Sequence, residues 1–394
     1  MFLHRYILGR LKNNWNGPAV TLIVGKKEIR IGRGKSLVTV RFKSRWALSR
    51  LAFSPSLGFG EGYMDGKITV EGNIMDLFEG FVQSDAIVPT WIRDFQRLLS
   101  YLPIPISGAV KNAQSHYDIG NDFYGLWLDE SRTYTCAYFL HEDDTLSQAQ
   151  FQKNDLVCKK VRLERGMTLL DIGCGWGGAI FHAAVHYGAD VTGVTPAKEQ
   201  AAYILDKAKQ LGLQDRVHVI IDDWRNIEQH TKNTKFDRVI SIGMFEHVGR
   251  AQYAEFFALW KRALKDNGIS LLHTIGRKNE ENSGQDPWMR KYIFPGGYVP
   301  LLHEIIRGAG KEELLAVDVE NLWQHYAKTL NWWEKNVQGH KEEIVNMFDE
   351  RFFRMWTLYL KVSEAGFIYG DMQLYQTVIL GKDANWPLNR EVTK

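Results

Sequence analysis

The chain has 394 residues, of which 45% are hydrophobic and 24% charged, with a formal net charge of +3. This composition is ordinary for a soluble globular protein, and the length predicts two domains. No apolar run approaches the roughly 18 residues of a transmembrane helix, and His4 and Arg5 interrupt the first apolar stretch, which excludes a signal-peptide core and predicts a cytoplasmic protein.

The first hundred residues carry short strand and helix patterns. Two β-branched runs flank Gly25-Lys26-Lys27, and this arrangement predicts a hairpin. Strands are predicted at 21–24, 28–31, 36–42 and 67–70, and helices at 73–82 and 90–101. These patterns predict a small α+β domain over residues 1–101.

Residues 26–50 hold nine basic side chains and a single acid, Glu28. Such a window could meet anionic lipid headgroups, at about 1 kcal/mol per basic residue, or nucleic acid. It could equally be the solvated face of a small sheet. The apolar residues Trp46, Leu48, Leu51 and Phe53 follow the basic residues, which favours a membrane surface over nucleic acid.

Pro103 and Pro105 predict a semi-rigid linker over residues 102–110, ahead of a second domain at 111–394. In that domain strand and helix patterns alternate, which predicts a doubly wound, mainly parallel α/β sheet. The predicted strands are 168–172, 190–195, 217–221, 237–242, 269–275, 314–319 and 373–380. A ligand crevice is expected beyond the carboxyl ends of these strands.

The run LLDIGCGWGG at 169–178 joins an apolar strand to a helix through a glycine-rich turn. Glycines let the backbone reach positive φ and approach a ligand closely. The pattern G-x-G-x-G resembles motif I of the class I S-adenosylmethionine (SAM) methyltransferases. Taken alone, it is also compatible with a tight strand–helix turn in any α/β protein.

Several longer blocks carry a sharper resemblance. They are HYD at 116–118, NDF at 121–123, YTCAYF at 134–139, DIGCGWGG at 171–178, GMFEHVG at 243–249 and LLHTIG at 271–276. In this order they resemble the signature blocks of the cyclopropane fatty acid synthases, from about residue 112 to about residue 380. The first hundred residues resemble the N-terminal lipid-binding domain of the members that act on phospholipids.

The resemblance implies a Rossmann-like SAM methyltransferase domain whose cofactor lies on the glycine turn. The implied SAM-binding residues are Tyr134, Thr135, Asp171, Gly173, Cys174, Gly175, Gly177, Thr195, Gln200, Asp223 and Trp224. Thr195 and Gln200 lie where many methyltransferases carry an acid for the ribose hydroxyls. Asp223 and Trp224 are implied to contact the adenine, although Trp224 could also pack beneath the sheet.

In the family reaction a cis alkene of an acyl chain attacks the SAM methyl group, and a base then removes a proton so that the ring closes. The family assigns that role to a bound bicarbonate ion. The matching positions are Cys136, Glu246, His273, the backbone N–H of Ile275, and Tyr326. His and Tyr can donate hydrogen bonds to such an ion, and Glu246 can accept its proton. Without these blocks, His273 on an apolar strand would be interpreted as a core histidine.

Two aromatic stretches, 321–337 and 351–360, predict helices that wall an acyl channel, although aromatic stripes at helical spacing often belong to a core. Some relatives carry a cysteine where this chain has Ser363, so no covalent cysteine is available there.

The resemblance further implies a homodimer that binds the inner face of a phospholipid bilayer through anionic headgroups. The three cysteines form no C-x-x-C pair, so no metal site is expected, and nucleic acid is not expected as a partner. Two alternatives remain: a lipid methyltransferase with a methyl-branched product, and a binding protein without catalysis.

Overall fold

The computed structural model describes residues 8–9, 11–84, 119–279 and 286–388. They form two compact units. The first contains the described residues up to 84 together with 286–295 and 330–371, and the second contains 119–279, 296–329 and 372–388. The predicted linker at 102–110, the predicted helix at 90–101 and the HYD block at 116–118 lie outside the described residues and stay predictions.

The first unit is built on a four-stranded sheet with the order β2-β1-β3-β4. Its strands are β1 (Pro18–Val24), β2 (Lys27–Ile31), β3 (Arg33–Phe42) and β4 (Ile68–Glu71). β1 and β2 form the predicted antiparallel hairpin, β1 pairs with β3 in parallel, and β4 pairs with β3 antiparallel. Alternate residues such as Val20, Leu22, Val38 and Val40 are buried, as the period of a strand requires when one face covers a core.

The helices of the first unit come from three parts of the chain. They are Arg45–Phe53, Pro55–Met64, Ile74–Gln83, Pro287–Tyr292, Lys341–Met347 and Glu350–Ile368. The helix predicted at 73–82 is confirmed. The helix Arg45–Phe53 was not predicted, and it buries Leu48 and Leu51 in the unit, so these two side chains are core residues and not a membrane-facing surface. Trp46 is the exception on this helix, with 62% of its surface exposed.

Residues 330–371 belong to the first unit, although the sequence-based division assigned them to the second domain. The helix Glu350–Ile368 buries Phe353, Trp356 and Tyr359 and packs against Pro55–Met64 and Ile74–Gln83. An amphipathic helix buries its apolar face on whichever surface complements it, and chain order does not limit that choice.

The second unit contains a seven-stranded sheet with the order β10-β11-β9-β8-β5-β6-β7. The strands are β5 (Thr168–Ile172), β6 (Asp190–Val194), β7 (Val217–Ile220), β8 (Phe236–Ile242), β9 (Leu264–Arg277), β10 (Leu315–Asn321) and β11 (Met372–Leu380). All seven predicted strands are confirmed within a few residues. The sheet is parallel except at β11, which runs antiparallel to both β9 and β10.

Helices cover both faces of this sheet. They are Asn121–Trp127, Leu146–Lys160, Gly178–His182, Lys198–Gln210, Ile227–Thr231, Tyr253–Ala263 and Leu302–Lys311, while the helix Trp323–Gly339 spans the division between the units. Successive residues of a strand point to opposite faces of the sheet and pack into different apolar clusters. Leu170 and Leu272 belong to one cluster, and Leu169 and Leu271 belong to the other. The doubly wound α/β architecture is therefore confirmed. Among the described residues, we find no helix that is both long and apolar enough to traverse a bilayer.

Candidate active site

The glycine turn follows β5 at the carboxyl end of the sheet. Gly173 has φ +87°, and a Cβ atom at this position would lie 2.4 Å from Cβ of Met244. The position therefore needs glycine for both its backbone conformation and its close approach. The N–H groups of Gly173 and Cys174 both donate to the carbonyl oxygen of Val194 at the end of β6, at 2.9 and 3.1 Å, which ties the turn to the neighbouring strand.

The turn forms one wall of a cavity of about 1060 Å³, counting its open mouth. Ten of the eleven residues predicted to bind SAM line it: Tyr134, Thr135, Asp171, Gly173, Cys174, Gly175, Thr195, Gln200, Asp223 and Trp224. Gly177 does not line the cavity; it has φ +82° and precedes the helix Gly178–His182. That these eleven residues bind SAM stays a prediction.

A buried acid and a buried base lie in the cavity wall. Asp171 is 2% exposed and Lys153 is 1% exposed. Burial raises the pKa of Asp171 to about 7, and the charge of Lys153 opposes that shift. Burial lowers the pKa of Lys153 to about 8, against the nearby carboxylates of Asp129 and Asp171. The Lys153 ammonium donates to Oγ1 of Thr135 at 3.2 Å, and Oδ1 of Asp171 has no hydrogen-bond partner among the described residues.

Elsewhere in the cavity lining, polar side chains form hydrogen bonds to residues close in the chain. Oγ1 of Thr195 donates to Oε1 of Gln200 at 2.8 Å, which leaves the amide N–H₂ of Gln200 as a donor for a ligand. The two carboxylate oxygens of Asp223 accept from the Arg225 guanidinium at 2.6 and 2.9 Å. The Trp224 ring lines the cavity and meets Phe256 edge-on, at 5.3 Å between ring centroids.

Lys153, Arg132, Trp176, Met244 and His247 also line the cavity, and the sequence analysis did not single them out as site residues. The sequence pattern of its helix could have identified Lys153 as a buried polar residue. The helix Leu146–Lys160 has a weak apolar pattern, yet its buried positions recur at helical spacing and several of them are polar. A polar residue at a core position of a helix indicates a buried polar site. The other four residues lie in loops or in family blocks, where spacing gives no comparable indication.

A second group of predicted residues lies just behind the cavity lining. His273 on β9 is paired with Ile242 of β8. Glu246 precedes His247 in the chain, and Ile242 and His247 both line the cavity. The strand β8 ends at Ile242, so the N–H of Ile275 on the adjacent β9 has no strand partner on that side. The carboxylate of Glu246 replaces the missing strand partner and accepts this N–H through Oε1 at 2.6 Å. Ile275 therefore holds Glu246, whereas the resemblance gave its N–H to a bound ion.

Glu246 and His273 are both buried. Burial raises the pKa of Glu246 to about 7, with the N–H of Ile275 acting in the opposite direction. Burial, together with the charges of Lys153 and Lys160, lowers the pKa of His273 well below its ordinary value. Within the described parts of the chain, Oε2 of Glu246 and Nε2 of His273 have no hydrogen-bond partner. A buried acceptor and a buried ring nitrogen without partners indicate a place for a small polar group.

Cys136 and Tyr326 share one hydrogen-bond acceptor at the start of the helix Trp323–Gly339. The Cys136 thiol is fully buried, and Sγ lies 3.9 Å from the carbonyl oxygen of Leu322, the acceptor that also takes the backbone N–H of Tyr326 at 3.1 Å. Burial raises the pKa of the Cys136 thiol above its ordinary range, so it is a neutral thiol at physiological pH. None of the five predicted ion-site residues lines the cavity itself, but their chain neighbours Thr135 and His247 do.

The two predicted aromatic helices are confirmed as Trp323–Gly339 and Glu350–Ile368. Trp333 and Trp356 are 0% and 1% exposed, as expected of core residues. Ser363 lies within the second of these helices. The role of these aromatic side chains in an acyl channel stays a prediction.

Comparison with known proteins identifies the family of this chain. A family model described as mycolic acid cyclopropane synthetase matches residues 106–377, and one described as a domain of unknown function matches residues 11–88. The chain is 35% identical over 351 residues to the cyclopropane-fatty-acyl-phospholipid synthase of Escherichia coli K12, covering 88% of each chain. It is also 35% identical over 350 residues to a protein of Pseudomonas putida named probable fatty acid methyltransferase, covering 86% of each.

Among solved structures, mycolic acid cyclopropane synthase CmaA1 complexed with SAH and CTAB superposes with a TM-score of 0.64 at 33% sequence identity. The match covers 68% of this chain and 97% of that one. The glycine turn and its cavity lie in the part of the chain that the first family model matches. The chain therefore belongs to the cyclopropane fatty acid synthase family of SAM-dependent methyltransferase enzymes.

Proposed function

We propose that this enzyme transfers a methylene group from SAM to the cis double bond of unsaturated acyl chains in membrane phospholipids, and so forms cyclopropane rings. The observation that carries the proposal is the pairing of a glycine-turn cavity with Glu246 and His273, each of which has one buried atom without a partner. The similarity to a phospholipid-acting relative over 88% of both chains supports the choice of substrate.

The cavity residues fit SAM. When bound, SAM would supply an electrophilic methyl group on a sulfonium centre. Oδ1 of Asp171, without a partner in the described parts of the chain, would accept from the α-amino group, and the N–H₂ of Gln200 would donate to a ribose hydroxyl. The Trp224 ring would pack against the adenine.

The group behind the cavity fits a bicarbonate ion. When bound, bicarbonate would supply the base that the ring closure needs. Oε2 of Glu246 is an acceptor for the ion's O–H, and Nε2 of His273 is the nitrogen that would face an ion oxygen. Cys136 and Tyr326 complete the proposed set. Since Glu246 is buried with a pKa raised to about 7, it can exchange a proton with a bound partner near neutral pH.

The alternative to a cyclopropane product is a methyl-branched acyl chain. The Pseudomonas putida relative is named probable fatty acid methyltransferase. A methyl-branched, still unsaturated acyl chain would arise if, after methyl transfer, the proton left from a carbon of the chain and not from the new methyl group. The two products contain the same number of carbons and differ in connectivity, so gas chromatography of the released fatty acids separates them.

The test uses purified enzyme, vesicles of a monounsaturated phospholipid and labelled SAM. We expect labelled lipid with the alkene lost and a cyclopropane in its place. Glu246→Gln should reduce ring formation at least 100-fold, about 2.7 kcal/mol, while SAM affinity changes little. Glu255→Gln, on an exposed carboxyl group, is the matched control. Absence of label in the lipid would refute the proposal, and a branched product would support the alternative.

We also propose that the first unit associates with anionic headgroups at a membrane surface and that the enzyme acts there as a homodimer. The exposed basic residues along β2 and β3 support the first point. The homodimer rests on the family resemblance and is tested by sedimentation of the full chain.

A further inference from the structure

Three buried side chains form a hydrogen-bonded series that ends at His273. Nζ of Lys160 donates to Oε1 of Gln376 at 2.6 Å, and Nε2 of Gln376 lies 3.2 Å from Nδ1 of His273. Lys160, Gln376 and His273 are 2%, 0% and 1% exposed. They come from three elements, since Lys160 ends the helix Leu146–Lys160 while Gln376 and His273 are directly paired residues of β11 and β9. Glu320 contacts Lys160 and provides the opposite charge.

The chemistry of this series leaves one consistent assignment of protons. A lysine ammonium can only donate hydrogen bonds, so it requires the amide oxygen of Gln376 to face it. The amide N–H₂ must then point to Nδ1 of His273, and an N–H₂ group can only donate. Nδ1 therefore accepts, and a neutral imidazole that accepts at Nδ1 carries its proton on Nε2.

The charge state of the ring agrees with this assignment. An imidazolium would present an N–H at Nδ1 against the N–H₂ of Gln376, which is repulsive. Burial and the positive charges of Lys153 and Lys160 lower the pKa of His273 well below its ordinary value, so the ring is neutral. Its Nε2 is the buried nitrogen that has no partner among the described residues.

We infer that Lys160 and Gln376 are positioning residues that fix His273 as the Nε2–H tautomer, so that its imidazole donates a hydrogen bond in the site and does not act as a base. The inference rests on the proposed function, because that function places an anionic group against Nε2. It divides the roles of the two unpartnered groups: His273 donates, and Glu246 accepts. A ligand with one O–H and further acceptor oxygens satisfies both.

The direct test is ¹⁵N NMR of the full chain with selectively labelled histidine, in the absence of lipid and SAM. His273→Asn assigns the signals by difference. We expect a pyrrole-type shift at Nε2 and a pyridine-type shift at Nδ1 near pH 7. A pyrrole-type Nδ1, or an imidazolium, would overturn the inference.

Gln376→Glu changes the group that faces Nδ1 of His273 from a hydrogen-bond donor to an acceptor, with almost no change in side-chain shape. A carboxylate still accepts from Lys160, but at its other oxygen it accepts again, and it therefore requires a proton on Nδ1 of His273. We expect the tautomer to switch to Nδ1–H and ring formation to fall at least tenfold with SAM affinity retained. A tautomer unchanged in this variant would contradict the inference.

Lys160→Arg is the conservative companion variant, because a guanidinium also only donates. It should keep the Nε2–H tautomer, and a switched tautomer in this variant would count against the inference. The NMR result does not depend on lipid turnover. Failure of the proposed reaction with the expected tautomer would refute the proposed function alone, whereas ring formation with an Nδ1–H tautomer would refute this inference alone.

Discussion

At the scale of single residues, the site depends on two carboxyl groups that the fold removes from water. Asp171 lies in the cavity wall and Glu246 lies behind it, and burial raises the pKa of each to about 7. Each carries one oxygen without a partner among the described residues. A buried carboxylate with an unsatisfied oxygen destabilises the folded state unless a ligand or a proton satisfies it.

The first prediction concerns Glu246 and pH. Its pKa is raised in the folded state above the ordinary value of 4.5, so its contribution to stability is full below about pH 4.5 and is lost as the pH rises through about 7. Glu246→Gln removes this loss. Without SAM, the variant should therefore gain stability relative to the wild type between about pH 5 and pH 8, by at most about 3 kcal/mol. Urea unfolding at several pH values measures the difference, and parallel pH profiles for the two proteins would contradict it.

The second prediction concerns Asp171 and the cofactor. Asp171→Asn removes the negative charge proposed to accept from the α-amino group of SAM, so SAM affinity should fall at least tenfold, about 1.4 kcal/mol. Because the pKa of Asp171 is raised to about 7, wild-type affinity should also rise between about pH 6 and pH 7.5, and the variant should lose this rise. Calorimetric titration measures both effects. Asp190→Asn, on an exposed aspartate of the neighbouring β6, should match the wild type.

At the scale of elements, the glycine turn and the helix Leu146–Lys160 position most of this chemistry. The turn sets the backbone close to the cavity, and the helix brings Lys153 to the cavity wall and Lys160 to the series that ends at His273. The helix begins with a capping box between Thr145 and Gln148, which fixes its first turn. Its two buried lysines lie seven residues apart, about two helical turns, and so share one face.

The third prediction compares two glycines of the second unit. Gly173 and Gly212 both have positive φ, so alanine at either position costs about 1–2 kcal/mol in backbone strain. Of these two, only Gly173 also lacks room, because its Cβ would lie 2.4 Å from Cβ of Met244, whereas no atom of the described residues would lie within 4 Å of a Cβ at Gly212. Gly173→Ala should therefore lower the thermal midpoint further than Gly212→Ala and weaken SAM binding at least tenfold. Equal SAM affinity in both variants would show that the turn tolerates the extra atom.

At the scale of the whole molecule, the cavity and the exposed basic residues lie in different units. The second unit contains the cavity and the buried residues behind it, and the first presents exposed basic residues around its small sheet. In the first unit Leu37 and Trp46 are large apolar residues with 66% and 62% of their surface exposed. Exposed basic and aromatic residues together are typical of proteins that bind membrane surfaces.

The fourth prediction tests that proposal. Four exposed basic residues, Lys26, Lys27, Arg33 and Lys35, are replaced together by glutamine. At about 1 kcal/mol per charge near an anionic surface, vesicle binding should fall at least tenfold. Added salt should weaken the wild type in the same direction, because it screens exposed charges. Co-sedimentation with anionic vesicles measures the binding.

The control for this prediction changes the same number of charges elsewhere. Lys198, Lys209, Lys232 and Lys311 are exposed residues of the second unit, and their replacement by glutamine should leave vesicle binding within about twofold of the wild type. An equal loss in both sets would indicate a nonspecific effect of net charge and would contradict a membrane-binding face on the first unit.

The sequence by itself determined the strands of the large sheet and the fold class. Strands β5 to β11 follow from apolar runs separated by helical patterns, because burial on both faces leaves a strand almost continuously apolar. The glycine turn and the family blocks likewise predicted ten of the residues that line the cavity. These features are local or lie in long recognisable blocks, so they can be identified without coordinates.

Tertiary structure alone decided the partners of each side chain. The series from Lys160 through Gln376 to His273 could not be predicted, because its members are far apart in the chain and meet only when β11 pairs with β9. The N–H of Ile275 likewise donates to Glu246 only because β8 ends before it could pair with this part of β9. Sequence patterns report which residues avoid water, whereas the proton positions and charges of a site depend on which buried groups the fold places in contact.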